Sequence, residues 1–232
     1  MTDLSEKWRI SRHRHQAPAT RPSRKAAKRT LDIVLSLAGI AALAPLLVVL
    51  WLLVRSTSPG PGLFWQERVG LRMRRFSMLK LRTMYVSDSD QIHREYVAGL
   101  LGGDPEPTRG PRGLFKLETD PRITPVGRWL RRTSLDELPQ LFNVLRGEMS
   151  LVGPRPALPW EAELWPSVYP EYSLRFEVRP GMTGLWQVSG RSQLSVREWL
   201  HLDAEYVRRR SFGLDLAILA RTLPALFRDG AS

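Results

Sequence analysis

A mixed α/β fold, mainly helical, is predicted: a re-entrant membrane helix-hairpin joined to a small cytoplasmic domain with one short β-hairpin. Three observations predict it. A 24-residue apolar run, Leu31 to Val54, holds a single charge, Asp32, at its start. Further on, aromatic and β-branched residues alternate with polar ones around Gly70, the pattern of a hairpin. Beyond that, apolar residues recur at helical spacing in several stretches.

Residues 1–24 are polar and basic and read as a flexible tail. They are no signal peptide, because the apolar run that follows starts too late and is too long. The membrane segment is placed at residues 25–56. As a helix its apolar run would extend about 36 Å, enough for a hydrocarbon core of roughly 30 Å. Pro45 lies inside the run, removes one helix hydrogen bond and bends the axis. Arg24, Lys25, Lys28 and Arg29 precede the run, and Arg55, Arg68, Arg72, Arg74 and Arg75 follow it. Both flanks therefore prefer the cytoplasmic side. A helix bent at Pro45, entering and leaving through one leaflet, satisfies both; a straight span does not.

Residues 57–232 form the remaining domain. The hairpin between Pro59 and Met84 puts Arg68, Lys80 and Arg82 on a compact element just after the membrane segment. That basic edge suits lipid headgroups or a phosphate ligand equally well. A helix is expected around Ser87 to Leu101, then a glycine- and proline-rich loop from Gly102 to Gly113. A further helix is marked by Leu138, Leu141, Phe142 and Leu145 on one expected buried face, with Gly147 as its stop.

Asp136 and Glu137 stand at the mouth of that helix. Ser134 and Glu137 have the spacing of a capping box. With Ser134 as the cap, however, Pro139 would break the first interior bond, at about 3 kcal/mol. A helix starting at Asp136 puts Pro139 in the first turn, where no N–H partner is needed. Capping by Asp136 accounts for one carboxylate. It leaves Glu137 and the neighbouring arginines unexplained.

Composition narrows the chemistry. The 232 residues carry 35 Lys+Arg against 23 Asp+Glu, a net charge of +12. Such a charge favours polyanions: nucleic acid, anionic lipid or phosphorylated small molecules. The absence of cysteine excludes disulfides, thiol catalysis and cysteine-type zinc sites. His13 and His15 are the one close histidine pair and read as part of the solvated tail. No P-loop, Rossmann glycine fingerprint or HExxH helix occurs. Adjacent carboxylates can share a Mg²⁺, which prefers one or two carboxylates plus phosphate oxygens. Arg155, held between Pro154 and Pro156, is pushed to an extended backbone and offers a planar fork for phosphate. With a membrane segment beside them, these groups point to phosphoryl chemistry on a lipid.

The chain resembles the bacterial sugar transferases, the monotopic polyprenyl-phosphate phosphoglycosyl transferases, from about Lys25 to Phe227. The segments FWQERVG, KLRTM, DPRITPVGRWLRRTSLDELPQLFNVLRGEMSLVGPRP and RPGMTGLWQVSGR occur in that family's order. The resemblance implies transfer of a sugar 1-phosphate from a UDP-sugar to polyprenyl (undecaprenyl) phosphate, with release of UMP. The setting implied is the start of exopolysaccharide, capsule or glycan assembly at the cytoplasmic face of the inner membrane. The resemblance also implies a nucleophilic Asp136, with Glu137 helping to hold a catalytic Mg²⁺. It implies phosphate binding by Arg131 and Arg155, with Lys80 as a further helper. It implies a bend at Pro45 too, although Ala44 stands where many relatives have serine.

The segment RPGMTGLWQVSGR reads mostly as loop architecture. Two amphipathic stretches, Val196–Arg210 and Phe212–Phe227, suit either the membrane interface or the core. A nucleic-acid-binding protein is a rival suggested by the charge, as is a non-catalytic membrane protein. Arginines scattered among apolar helices, with no single stripe, disfavour the first, so no nucleic-acid partner is expected. The second leaves the acidic pair unexplained. The sequence selects no sugar and no oligomeric state, a homodimer being one open form.

Overall fold

The computed structural model describes residues 22–85, 122–190 and 194–228. The expected helix at Ser87–Leu101, the loop at Gly102–Gly113 and nearly all of the basic tail lie outside them. The described chain is mostly helical, with a long apolar N-terminal helix and small two-stranded sheets.

Helix α1, Pro22–Thr57, runs without interruption through Pro45, so the expected re-entrant hairpin is not confirmed, and its apolar stretch has a mean hydropathy of 2.7. Its buried residues Asp32, Ser36, Leu50 and Val54 are separated by 4, 14 and 4 positions. Those intervals are close to whole turns, so they form one stripe along one side. The remaining surface exposes Val34, Leu37, Leu46, Val48, Val49 and Leu52. Polar contacts fasten the N-terminal end. Asp32 Oδ1 accepts hydrogen bonds from Ser150 Oγ and Leu151 N, both at 3.0 Å. Lys28 Nζ donates to Val152 O at 3.1 Å and to Asp215 Oδ2 at 2.9 Å. Arg29 forks onto the carbonyls of Val144 and Leu145 at 2.6 and 2.7 Å. Asp32, the one charge of the apolar run, is thus met by two donors of the domain.

The hairpin forms as expected. Strands β1 (Leu63–Val69) and β2 (Arg75–Leu81) pair antiparallel, with Phe64 opposite Lys80 and Val69 opposite Arg75. The turn between them places Arg72 and Met73 in the left-handed region, at φ 55° and 59°. Arg82, just past β2, donates to the carbonyls of Ser58 (2.8 Å) and Pro59, tying the hairpin to the exit of α1.

Helix α2, Pro125–Thr133, starts at Thr124, whose Oγ1 accepts from Gly127 N at 2.8 Å. It ends where Ser134 turns left-handed, at φ 56°. Leu135–Glu137 then form a 3₁₀ turn, and α3 covers Gln140–Arg146 up to the left-handed Gly147. The expected helix start at Asp136 is therefore corrected. Ser134 breaks the chain direction before it and Pro139 cannot donate an N–H after it, so the acidic pair tightens into a 3₁₀ turn. The expected buried face also shifts: Gln140, Leu141, Asn143 and Val144 are inside, whereas Phe142 is 39 % exposed. Asn143 turns inward because β2 has unpaired backbone groups there. Its Oδ1 accepts from Leu79 N at 2.9 Å and its Nδ2 donates to Ser77 O at 2.7 Å.

Strand β3 (Ser150–Val152) lies parallel to β4 (Gly181–Thr183). Between them come α4 (Pro159–Val168) and a 3₁₀ segment, Pro170–Glu177. Gly153 and Gly181 touch backbone to backbone; a Cβ on Gly181 would meet Gly153 N at 2.1 Å. Helices α5 (Leu185–Ser189), α6 (Val196–Arg209) and α7 (Phe212–Arg228) follow. Helix α6 buries Trp199, Leu200, Tyr206 and Val207, which assigns the first amphipathic stretch to the core. Helix α7 buries Asp215 and Ile218 and exposes Phe212 and Leu216. Leu50 and Val54 of α1 meet Leu81 and Leu130 in a small cluster that fixes the long apolar helix against β2 and α2.

Candidate active site

Four elements converge on the acidic turn. Strand β2 brings Lys80, the segment after β3 brings Arg155, α2 brings Arg131, and the 3₁₀ turn carries Asp136 and Glu137. Lys80 Nζ lies 2.9 Å from Glu137 Oε1, and Arg155 Nη2 lies 3.3 Å from the same oxygen. Arg131 sits on the Asp136 side, with its Nε donating to Thr83 Oγ1 at 3.1 Å. All five expected residues are thus brought together. Pro45 is elsewhere, on the exposed side of α1.

The two carboxylates are neighbours in opposite surroundings. Asp136 is only 6 % exposed, and its carboxyl group takes no hydrogen bond from a described residue. Burial pushes its carboxyl up to about 6; Lys80 opposes the shift and the adjacent Glu137 adds to it. Burial also pushes on Glu137, but the Lys80 ammonium and the Arg155 guanidinium overturn it and hold that carboxyl well below the usual range. Carboxylates driven apart in this way divide naturally into two roles. Burial lowers Lys80, partly offset by Glu137.

Arg68, flagged by the sequence only as part of a basic edge, is buried beside this cluster. It donates to Gln66 Oε1 at 2.7 Å and to Pro156 O at 3.1 Å, and burial brings it down to about 10. Lys80, Arg68, Arg131 and Arg155 therefore surround the two carboxylates, with Glu161 also acting on Arg68, and this concentration of cations suits an anion such as a diphosphate. Asn143, Arg175 and Asp203 were not singled out by the sequence. Asn143 could have been found from its place between Gln140 and Val144 on one helix face. The Arg175–Asp203 pair spans 28 positions and gives no local signal.

The donors fit a hard divalent cation. Both cation contacts of Glu137 fall on Oε1, and Asp136 is unengaged among the described residues, so oxygens of both carboxylates remain available. No group of three or more His, Cys, Asp or Glu that could hold a metal occurs among the described residues. Two carboxylates would leave the rest of a Mg²⁺ shell to phosphate oxygens and water.

An acidic turn ringed by cations, in a domain packed on a long apolar helix, is an arrangement that suits phosphate chemistry at a membrane. The chain belongs to the bacterial sugar transferase family, which matches over residues 23–229. It is 45 % identical over 205 residues to a UDP-galactose-lipid carrier transferase of Erwinia amylovora, covering 88 % of this chain and 41 % of that one. It is 40 % identical over 208 residues to the exopolysaccharide production protein ExoY of Sinorhizobium fredii, covering 90 % and 88 %. A UDP-glucose:undecaprenyl-phosphate glucose-1-phosphate transferase of Caulobacter vibrioides is 38 % identical over 229 residues, covering 97 % and 78 %. The chain spans about two fifths of the length of the Erwinia relative.

Proposed function

We infer that the protein transfers a sugar 1-phosphate from a UDP-sugar to polyprenyl phosphate, releasing UMP, through a covalent intermediate on Asp136. The observation that carries this reading is the asymmetry of the acidic pair. Asp136 is buried and uncommitted, while Glu137 is clamped by Lys80 and Arg155. An Asp136 oxygen attacks the sugar-linked phosphorus, and the bond from that phosphorus to the UMP oxygen breaks. UMP leaves with the electron pair. An oxygen of polyprenyl phosphate then attacks the same phosphorus and returns the Asp136 carboxylate. Arg131, Arg155 and Lys80 bind and orient the phosphates, and their fixed charge offsets what develops on the phosphoryl oxygens. Glu137 and Asp136 would hold Mg²⁺, which supplies Lewis-acid stabilisation of the diphosphate when bound.

The placement at a membrane follows the same logic. One stripe of α1 leans on the domain from Asp32 to Val54, a rise of about 33 Å. A straight crossing would carry one end of that stripe through a hydrocarbon core of roughly 30 Å and away from the domain. Entry and exit on one side, the inner-membrane cytoplasmic face, keep both ends on the domain. The opposite, apolar side of α1 then faces lipid.

The test uses radiolabelled UDP-galactose or UDP-glucose with Mg²⁺ and no lipid acceptor. Sugar phosphate should remain on the protein in a hydroxylamine-labile bond and be lost in Asp136→Asn. Turnover by the wild type with no trapped adduct, through a ternary complex alone, would sink the covalent mechanism.

A further inference from the structure

The turn Gly153-Pro154-Arg155-Pro156 is short of donors. Both prolines lack an N–H, so Pro154 to Pro156 present three carbonyls and one amide donor. Each carbonyl is taken by a different outside group. Pro154 O accepts from Gly181 N at 2.8 Å, Arg155 O from Arg175 Nη2 at 2.9 Å, and Pro156 O from Arg68 Nη1 at 3.1 Å.

The middle donor is held more firmly than a carbonyl contact requires. Arg175 is buried, and its Nη2 also meets Asp203 Oδ2 at 3.0 Å. Its guanidinium lies over the rings of Tyr172 and Trp199, at 4.4 and 4.9 Å from their centroids. A cation fixed by a carboxylate and two aromatic faces has little freedom to move. It holds the main chain of the residue whose side chain grips Glu137. The Arg155 side chain is 39 % exposed and long, so its direction depends on a fixed starting point in the backbone.

We propose that Arg175, locked by Asp203, Tyr172 and Trp199, is a positioning residue that aims the Arg155 guanidinium at Glu137 and at the donor diphosphate. The inference rests on reading Arg155 as a phosphate-binding group. Arg175 touches neither substrate nor carboxylate of the acidic turn; it acts through Arg155. A lysine at 175 keeps the charge but lacks the planar fork that matches carbonyl, carboxylate and rings together.

The test is a double-mutant cycle in the full chain, in detergent or nanodiscs, varying UDP-galactose or UDP-glucose at saturating polyprenyl phosphate. Arg175→Lys should raise the KM for donor about tenfold and move kcat less, a coupling in the range of contacting groups. In the Arg155→Lys background the same change should cost less than about twofold, because the aimed group is already gone. Equal losses in both backgrounds, tracking a fall in Tm, would make Arg175 a structural residue only and overturn the inference. So would an unchanged KM in Arg175→Lys. If Arg175→Lys does not fold, Asp203→Asn takes its place in the same cycle, since it loosens one arm of the lock and leaves Arg175 in place. Wild-type kinetics in Arg155→Lys would instead sink the role of Arg155 itself.

Discussion

Neutralising the two adjacent carboxylates should change stability in opposite directions. Asp136 has a folded pKa of about 6 against an ordinary value of 3.8. A raised carboxylate pKa contributes stability below the unfolded value that is lost as pH rises through the folded one. At pH 8 the loss is complete, so the ionised Asp136 opposes folding by about 3 kcal/mol. Asp136→Asn stands in for the neutral acid and should recover most of that. The melting temperature should rise by roughly 5–10 °C. At pH 5 the gain should shrink to about half, because the folded wild type is then largely protonated while the unfolded chain is not. Glu137 is the reverse case: its depressed pKa gives stability above the unfolded value, lost as pH falls through the folded one. Glu137→Gln leaves Lys80 buried without its partner. The cost should be about 2 kcal/mol, below the roughly 3–5 of a fully buried pair because Glu137 is partly exposed. The assay is thermal unfolding in detergent at pH 8 with chelator, then at pH 5. An Asp136→Asn protein that melts below wild type at pH 8, or two variants shifted alike, would refute the reasoning.

Three further outcomes follow. Proton and metal should compete for Asp136: below pH 6 the apparent Mg²⁺ requirement of turnover should climb, and raising Mg²⁺ should move the acid limb of the rate profile to lower pH. Asn143→Ala should cost about 3 kcal/mol in chemical unfolding, since it strands the Leu79 N–H and Ser77 carbonyl that Asn143 satisfies. Single cysteines at residues 10 and 232 should both resist an impermeant thiol reagent from the periplasm; labelling of residue 10 alone would mean a straight crossing.

Much of the site was legible because its chemistry lies close in sequence. Asp136 and Glu137 are adjacent, Arg131 is five residues earlier, and Arg155 is marked by its two prolines. The hairpin was legible because strand alternation and a central glycine are local signals. The helix start at Asp136 failed because two local rules collided. Pro139 allows a helix entry, but the left-handed Ser134 just before it leaves room only for a 3₁₀ turn. Phe142 was misplaced by periodicity, because hydrogen bonding to β2 outranked hydrophobicity in choosing the inward side. What could not be read were the long-range anchors: Asp32 on Ser150, Arg29 on Val144, and Arg175 on Arg155, pairings fixed only when the chain closes.

Those anchors explain why so basic a chain can keep a carboxylate uncommitted in its interior. A bare acidic turn would either ionise and pull in the nearest cation or stay protonated. Here many of the domain's cations are assigned elsewhere. Arg29 caps the carbonyl end of α3, Arg82 ties the exit of α1, Arg68 and Arg175 hold the proline turn, and Lys80 with Arg155 take Glu137. Each cation is drawn to backbone carbonyls or to a different carboxylate before Asp136 can claim it. The residual positive field still lowers the cost of charge on Asp136 without any direct bond to either oxygen. The nucleophilic role inferred for Asp136 needs that combination, ionised often enough to react and bonded too little to be restrained. The basic composition is therefore a means of holding one aspartate free beside two fixed arginines.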